Sequence, residues 1–383
     1  MLGNFTFHNP TKIYFGENSL ENLSKELGKY GEKVMLVYGG GSIRKNGIYN
    51  AVLAELHKAG KQTVELSGVM PNPTIEKVME GVALARKEAV DLILAVGGGS
   101  VCDYCKAVAG SAYCEHDPWE YYFNNFGEMT CRWIPVGCVL TMAGTGSEMD
   151  SCSVISKHSE NRKKFYYFRN PDFSILNPVY TYTVPKYHTV AGIYDIMSHI
   201  LEQYLSGTDD NTTDYIAEGL MRSLIVSSRK VLTDPKDYEA RSNIMWTATW
   251  ALNGLLACGK PTDWMVHMLG QAVAAYTDAT HGHTLSAVSG AYYRLLIGRS
   301  EEAVKKFRRL AANVWGIVLT GIALEGLERM EDWMRELGLA ISITECGADV
   351  SKLEGMADAC PITESGYVVL TREDVINVLR QSL

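Results

Sequence analysis

Residues 91–100 read DLILAVGGGS: a run from Asp91 to Val96, apolar after its first residue, that breaks into Gly97-Gly98-Gly99-Ser100. Such a run, ended by glycines and followed by the helix-compatible VCDYCKAVAG, predicts a buried strand, a tight turn and a helix. The same unit occurs earlier, where KVMLVY from Lys33 to Tyr38 ends in Gly39-Gly40-Gly41-Ser42 and helix-forming sequence follows Gly47. Between the two, the turn-rich Pro71-Asn72-Pro73-Thr74 precedes a segment from Ile75 to Arg86. Its apolar residues Ile75, Val78, Val82 and Ala85 fall at helical spacing, with Glu76 near the start. A further strand is expected from Ile134 to Leu140, ending in TMAGTGSE, residues 141–148. Alternating strands and helices predict an α/β domain.

Turns of this kind have a physical use. Glycines allow close backbone approach to a pyrophosphate, and the amides of the next helix start face its oxygens. The candidates are Gly40, Gly41 and Ser42 after the first strand, and Gly97, Gly98, Gly99 and Ser100 after the second. In the loop after the third strand, Thr141, Thr145 and Ser147 offer hydroxyls. The pattern is G-G-G-S rather than G-x-G-x-x-G, so each turn alone is also explained as a simple tight turn. Three of them at strand ends suggest one nucleotide cleft in a Rossmann-like domain. No acid follows Tyr38 to accept ribose hydroxyls, while Arg44 and Lys45 lie just beyond. That favours NADP(H), whose 2′-phosphate a carboxylate would repel.

Beyond Pro178 and Pro185 the strand-like runs fade. Segments beginning IAEGLMRS, ARSNIMWT, EEAVKKFR and GLERMEDW fit a 3.6-residue period. The expected division is residues 1–182 as the dinucleotide-binding α/β domain and 183–383 as an all-α domain. The second domain holds AGIYDIMSHILEQY, residues 191–204, in which Asp195 and His199 share a helix face. A carboxylate and an imidazole one turn apart supply half of a four-coordinate divalent site. A lone D-x-x-x-H pair is common, but His267 and His281, fourteen residues apart in a second apolar, helical-looking stretch, are placed to complete the set.

At 383 residues the chain is long enough for two domains. A net charge of −8 without a basic run argues against nucleic acid or an anionic membrane surface as partner. No apolar run approaches the roughly 20 residues that span a bilayer, and the start lacks a secretory pattern. Nine irregularly spaced cysteines suit a reducing, cytoplasmic setting. Cys102 and Cys105 read as packed helix residues rather than a redox pair.

The ordered set FHNPTKIYFG, PNPT, DLILAVGGGSVCDYCK, TMAGTGSE, NPVYTYTVP, then D-x-x-x-H, H-x-x-x-Q and the distal His281, resembles the iron-containing (group III) alcohol dehydrogenases over nearly the whole chain. Within them it is most similar to the NADPH-dependent butanol dehydrogenase and aldehyde reductase branch. The resemblance implies that Asp195, His199, His267 and His281 ligate one divalent ion, Fe²⁺ or Zn²⁺. It adds Asp103 to the pyrophosphate turn with Lys106 behind it, Asn72 beside the adenosine, and Lys163, or its neighbour Lys164, on the cofactor side. It further implies a cytoplasmic homodimer in which a small aldehyde or alcohol exchanges hydride with NADP(H), metal and nicotinamide meeting in a cleft. Two positions depart from the family. Asn177 stands where an Asp commonly precedes the Pro, and Gln271, one turn after His267, stands where many members carry a histidine. Gln271 can hold a hydrogen bond but cannot act as an acid or base near neutral pH, so proton transfer is expected to be slower or taken over by His283. The rival readings are a glycerol dehydrogenase-like polyol oxidoreductase and a catalytically silent nucleotide-binding protein. A dehydroquinate synthase-like role needs basic residues for an acidic substrate, and none surround the metal motifs.

Overall fold

The computed structural model describes residues 2–207, 211–317 and 323–383. It divides into two compact units, one of Asn9–Val184 and the other of Pro185–Leu383 together with the chain up to His8. The first unit is built on β1 (Lys12–Phe15), β2 (Lys33–Tyr38), β3 (Gln62–Leu66), β4 (Leu92–Gly97), β5 (Val136–Leu140) and β8 (Phe173–Leu176). They form one sheet in the order β1-β8-β5-β4-β2-β3, with every pairing parallel. Between β5 and β8 the chain makes an antiparallel hairpin of β6 (Cys152–Lys157) and β7 (Arg162–Tyr167).

Both faces of the central strands are covered, which explains their continuous apolar runs. Val34, Leu36, Leu92, Leu94 and Val96 point into one core with Val52 and Leu56 of the helix Ile48–Lys58. The opposite face is buried under the helix Gly99–Ser111, on which the helix Ile75–Glu88 packs in turn. Cys102 and Cys105 lie in the second of these, buried and unoxidised, as packing residues. The ends of β2, β4 and β5 stand side by side, so the three expected turns lie along one edge of the sheet. Asn177 accepts from the Val179 amide and donates to the Glu17 carbonyl, a local turn role.

The second unit is helical. Its helix Lys186–Tyr204 packs against four others, Thr212–Thr233, Tyr238–Ala251, Met265–Thr277 and His281–Arg299. Every residue from Thr189 to Tyr204 is consequently buried. The apolar stretch carrying His267 and His281 is two helices rather than one. The first stops at Thr277, and Asp278 takes a left-handed conformation (φ 53°) that turns the chain before His281 opens the second. A Cβ at Gly282 would lie 1.9 Å from the Ala191 carbonyl oxygen, so only glycine lets this helix start against the central one. Gly282→Ala is therefore expected to cost about 1–3 kcal/mol or more, since the obstacle is backbone and overpacking is not relieved by a rotamer change. Thermal unfolding measures the loss, and metal content should fall with it because His281 adjoins the contact. An unchanged midpoint would contradict the packing.

Candidate metal centre and nucleotide turns

A helix buried on all sides must find a partner for each polar side chain it carries. Between residues 195 and 203 the central helix carries five: Asp195, Ser198, His199, Glu202 and Gln203. Gln203 donates to the carbonyls of His199 and Ala251, both at 2.7 Å. Ser198 donates to Glu202 Oε1 at 2.7 Å, and Glu202 Oε2 accepts the His267 amide at 3.1 Å. Glu202 also meets His267 Nδ1. Two groups remain. Asp195 Oδ1 and His199 Nδ1 are buried with no hydrogen-bond partner among the described residues, as is His267 Nε2 across from them.

Asp195 Oδ1 is the point on which three rings converge. It lies 3.6 Å from His199 Nε2, 3.6 Å from His267 Nε2 and 3.7 Å from His281 Nε2. These separations are too long for hydrogen bonds and close to the edge of a coordination tetrahedron, about 3.4 Å for bonds near 2.1 Å. The ligand atoms of Asp195, His267 and His281 all lie within 4.8 Å of one another. His199 stands beside that trio, stacked on His267 with ring centroids 4.7 Å apart. The donor set suits Fe²⁺ or Zn²⁺, and a cation supplies what the buried carboxylate oxygen lacks.

The electrostatics agree. Burial works against the Asp195 carboxylate, but His199, His281 and His267 hold it well below the usual range. Burial takes His199 down to about 4, against the pull of Asp195. Burial would lower His267 too, yet Glu202 and Asp195 outweigh it and raise it to about 9. With Nδ1–H directed at Glu202, Nε2 is the atom turned toward Asp195, the arrangement by which a carboxylate fixes tautomer and ring orientation for a metal.

Glu202 was not among the expected site residues. Its signal was present, because it lies seven residues after Asp195 and three after His199, on the same helical face. Of the aromatic residues near the motifs, Trp264 sits 5.4 Å from His267 ring to ring, whereas Trp119 is buried against Phe123. Gln271 is buried one turn beyond His267, its Oε1 without a partner among the described residues. His283 is placed differently from the expectation of a proton carrier. Its Nε2 donates to the Tyr187 carbonyl at 3.2 Å, its Nδ1 accepts the Ala340 amide at 3.2 Å, and Tyr187 stacks on its ring. Both nitrogens are spent on backbone, and burial pushes its pKa down, so it braces the helix start.

In the first unit the helix Gly99–Ser111 begins at the end of β4 with no acid in its first turn. Thr145 packs where a Gly99 Cβ would fall, 2.2 Å from its Oγ1, joining the 97–100 and 141–147 turns. Ser147 donates to Asp103 Oδ1 at 2.5 Å, and Asp103 Oδ2 accepts the Val154 amide at 3.0 Å. Lys106, wholly buried behind the turn, reaches Asp150 Oδ1 at 2.7 Å. Asp103 and Lys106 thus brace the loop from behind. Lys163 Nζ donates to Asn72 Oδ1 at 2.8 Å, while Lys164 reaches Asn124, so the alternation of β7 sends only Lys163 toward Asn72. Cβ atoms built on Gly40 and Gly41 meet nothing within 4 Å, leaving open space at the end of β2.

Comparison with known proteins covers both units. Residues 10–178 match the iron-containing alcohol dehydrogenase family, and residues 189–383 match its C-terminal family, the Fe-containing alcohol dehydrogenases. The NADH-dependent butanol dehydrogenase B of Clostridium acetobutylicum is 41% identical over 92% of both chains. The NADPH-dependent aldehyde reductase YqhD of Escherichia coli is 35% identical over 93% of this chain and 92% of its own. The crystal structure of NADH-dependent butanol dehydrogenase A from Thermotoga maritima superposes with a TM-score of 0.94 at 35% identity, covering 100% of this chain and 99% of that one.

If Glu202 orients His267, Glu202→Gln should weaken divalent-metal affinity about 10–100-fold, the range for lost partners of ligating histidines. His267→Ala or His281→Ala should leave no stoichiometric metal. Competition with a chromogenic chelator reads both, and wild-type affinity in all three variants would contradict the centre.

Proposed function

The chain belongs to the iron-containing alcohol dehydrogenase family, and we propose that it transfers hydride between NADP(H) and small primary alcohols or aldehydes at a divalent metal held by Asp195, His199, His267 and His281. The observation that carries this reading is the convergence of three imidazoles on one buried carboxylate oxygen that has no hydrogen-bond partner among the described residues. When bound there, a divalent ion supplies Lewis-acid polarisation of a carbonyl oxygen.

The chain's own residues do the rest. Glu202 keeps His267 in one tautomer and one orientation. Gln271, with its amide buried beside His267, orients the substrate oxygen by a hydrogen bond and contributes no proton. His283 has both nitrogens committed, so the proton that completes aldehyde reduction comes from solvent. The first unit holds the nucleotide at Gly40, Gly41 and Ser42, at Gly97 to Ser100, and at Thr141, Thr145 and Ser147, with Asn72 and Lys163 as a buried polar pair beyond. No acid follows Tyr38, which favours NADP(H), although the relatives named above include enzymes of either cofactor. Nine free thiols suit a cytoplasmic enzyme.

Protein reloaded with Fe²⁺ or Zn²⁺ should oxidise NADPH in the presence of butanal, faster than NADH, and lose that activity on chelation. Butanal-independent or metal-independent oxidation would sink the proposal, and faster NADH turnover would sink its cofactor half. Gln271→His should raise turnover by about 10-fold or more and add a titration near neutral pH, since general acid help is typically worth 10²-fold or more. A flat pH profile and unchanged turnover in that variant would mean that solvent delivery is not limiting.

A further inference from the structure

The sheet order places the end of β2 next to the glycine turn of β4, and β3 outside β2. In doubly wound sheets the strand next to the pyrophosphate turn ends at the adenosine ribose, where the group that reads its 2′ position is found. Here that strand ends in glycines with no charged side chain of their own. The charges beside it are Arg44 and Lys45 on the short helix Ser42–Lys45, and Glu65 on β3, whose backbone pairs with Leu36 of β2.

Arg44 and Glu65 are not independent. Arg44 Nη2 reaches Glu65 Oε2 at 2.9 Å, and Nε and Nη2 both donate to the Tyr38 hydroxyl. The guanidinium lies over Tyr49, 4.0 Å from the ring centroid. Glu65 accepts the Tyr49 hydroxyl on Oε1 at 2.6 Å and the Tyr38 hydroxyl on Oε2 at 2.9 Å. Two tyrosines thus hold a carboxylate and a guanidinium together beside the open turn, with the two charged side chains 38% and 50% exposed.

We propose that Glu65 sets how strongly this protein discriminates between NADP(H) and NAD(H), by clasping the Arg44 guanidinium that would otherwise meet a 2′-phosphate; the inference rests on the NADP(H) reading above. The carboxylate acts twice against a phosphate. It occupies the guanidinium's Nη2 donor, and it sets a negative charge beside the phosphate position. Ribose hydroxyls carry no charge and are indifferent to both. The turn therefore admits NADP(H) without excluding NAD(H).

Glu65→Gln removes the charge and keeps an oxygen to accept from the tyrosines. Titration of cofactor fluorescence at low salt should show NADPH binding about three- to tenfold tighter and NADH binding within twofold of wild type, the NADPH gain shrinking as salt is added. Adding Arg44→Met to that variant should abolish the gain. Arg44→Met alone, an independent arm should Glu65→Gln fold poorly, should weaken NADPH binding and spare NADH. Equal shifts for both cofactors, or no shift for either, overturn the role of Glu65. A wild type that favours NADH yet shows the same selective shift overturns the cofactor preference proposed above and leaves the role of Glu65 standing.

Discussion

Burial on every side of the helix Lys186–Tyr204 from Thr189 onward is the constraint from which the second unit follows. Four helices cover it, so each polar side chain it carries must be satisfied from within the protein. Ser198 is satisfied by the Glu202 carboxylate, Glu202 by the Ser198 hydroxyl and the His267 imidazole, and Gln203 by backbone carbonyls. What remains is a buried carboxylate oxygen and the imidazole nitrogens gathered round it, separated as metal ligands are. A cation is the partner this chemistry calls for, and the shape of the unit serves it. Gly282 brings one helix onto the central one, and the left-handed turn at Asp278 redirects the chain so that His281 comes to the same point as His267.

The first unit answers a different constraint. A parallel sheet covered on both faces buries its strands and leaves their carboxyl ends as the place where backbone amides and short side chains meet a ligand. The 39–42, 97–100 and 141–147 turns lie at neighbouring strand ends. The last two are stiffened from behind by Asp103, Lys106 and Asp150, which tie the helix Gly99–Ser111 to the loop after β5. Rigid backing behind the 97–100 turn and open space at Gly40 and Gly41 suit turns that must bind without rearranging.

Legibility in the sequence followed burial. β2 and β4 were readable because both faces are apolar and glycines end them, and the periodic helices were readable because they bury one stripe. β1 and β3 sit at the sheet edges, and KIYF and QTVEL alternate too briefly to stand out from loop. The β6–β7 hairpin, with Arg162, Lys163 and Lys164 in succession, carries too much charge to read as strand. The break at Asp278 was invisible because apolar periodicity continues on both sides of it. The ligand set rested on motif order. Glu202 was marked only by its place on the face of Asp195 and His199, whereas the bracing role of His283 and the Arg44–Glu65 clasp depend on contacts between residues 21 to 96 apart, which no local pattern encodes.

The central claim is that one divalent ion fills the space among Asp195, His199, His267 and His281. Anomalous diffraction from crystals grown with Fe²⁺ or Zn²⁺, recorded on either side of the metal's absorption edge, tests it directly. The account predicts one edge-dependent peak per chain at about 2.1 Å from Asp195 Oδ1 and from the Nε2 atoms of the histidines. A map with no peak there, or with its peak at another site while these four residues keep their positions, would contradict it.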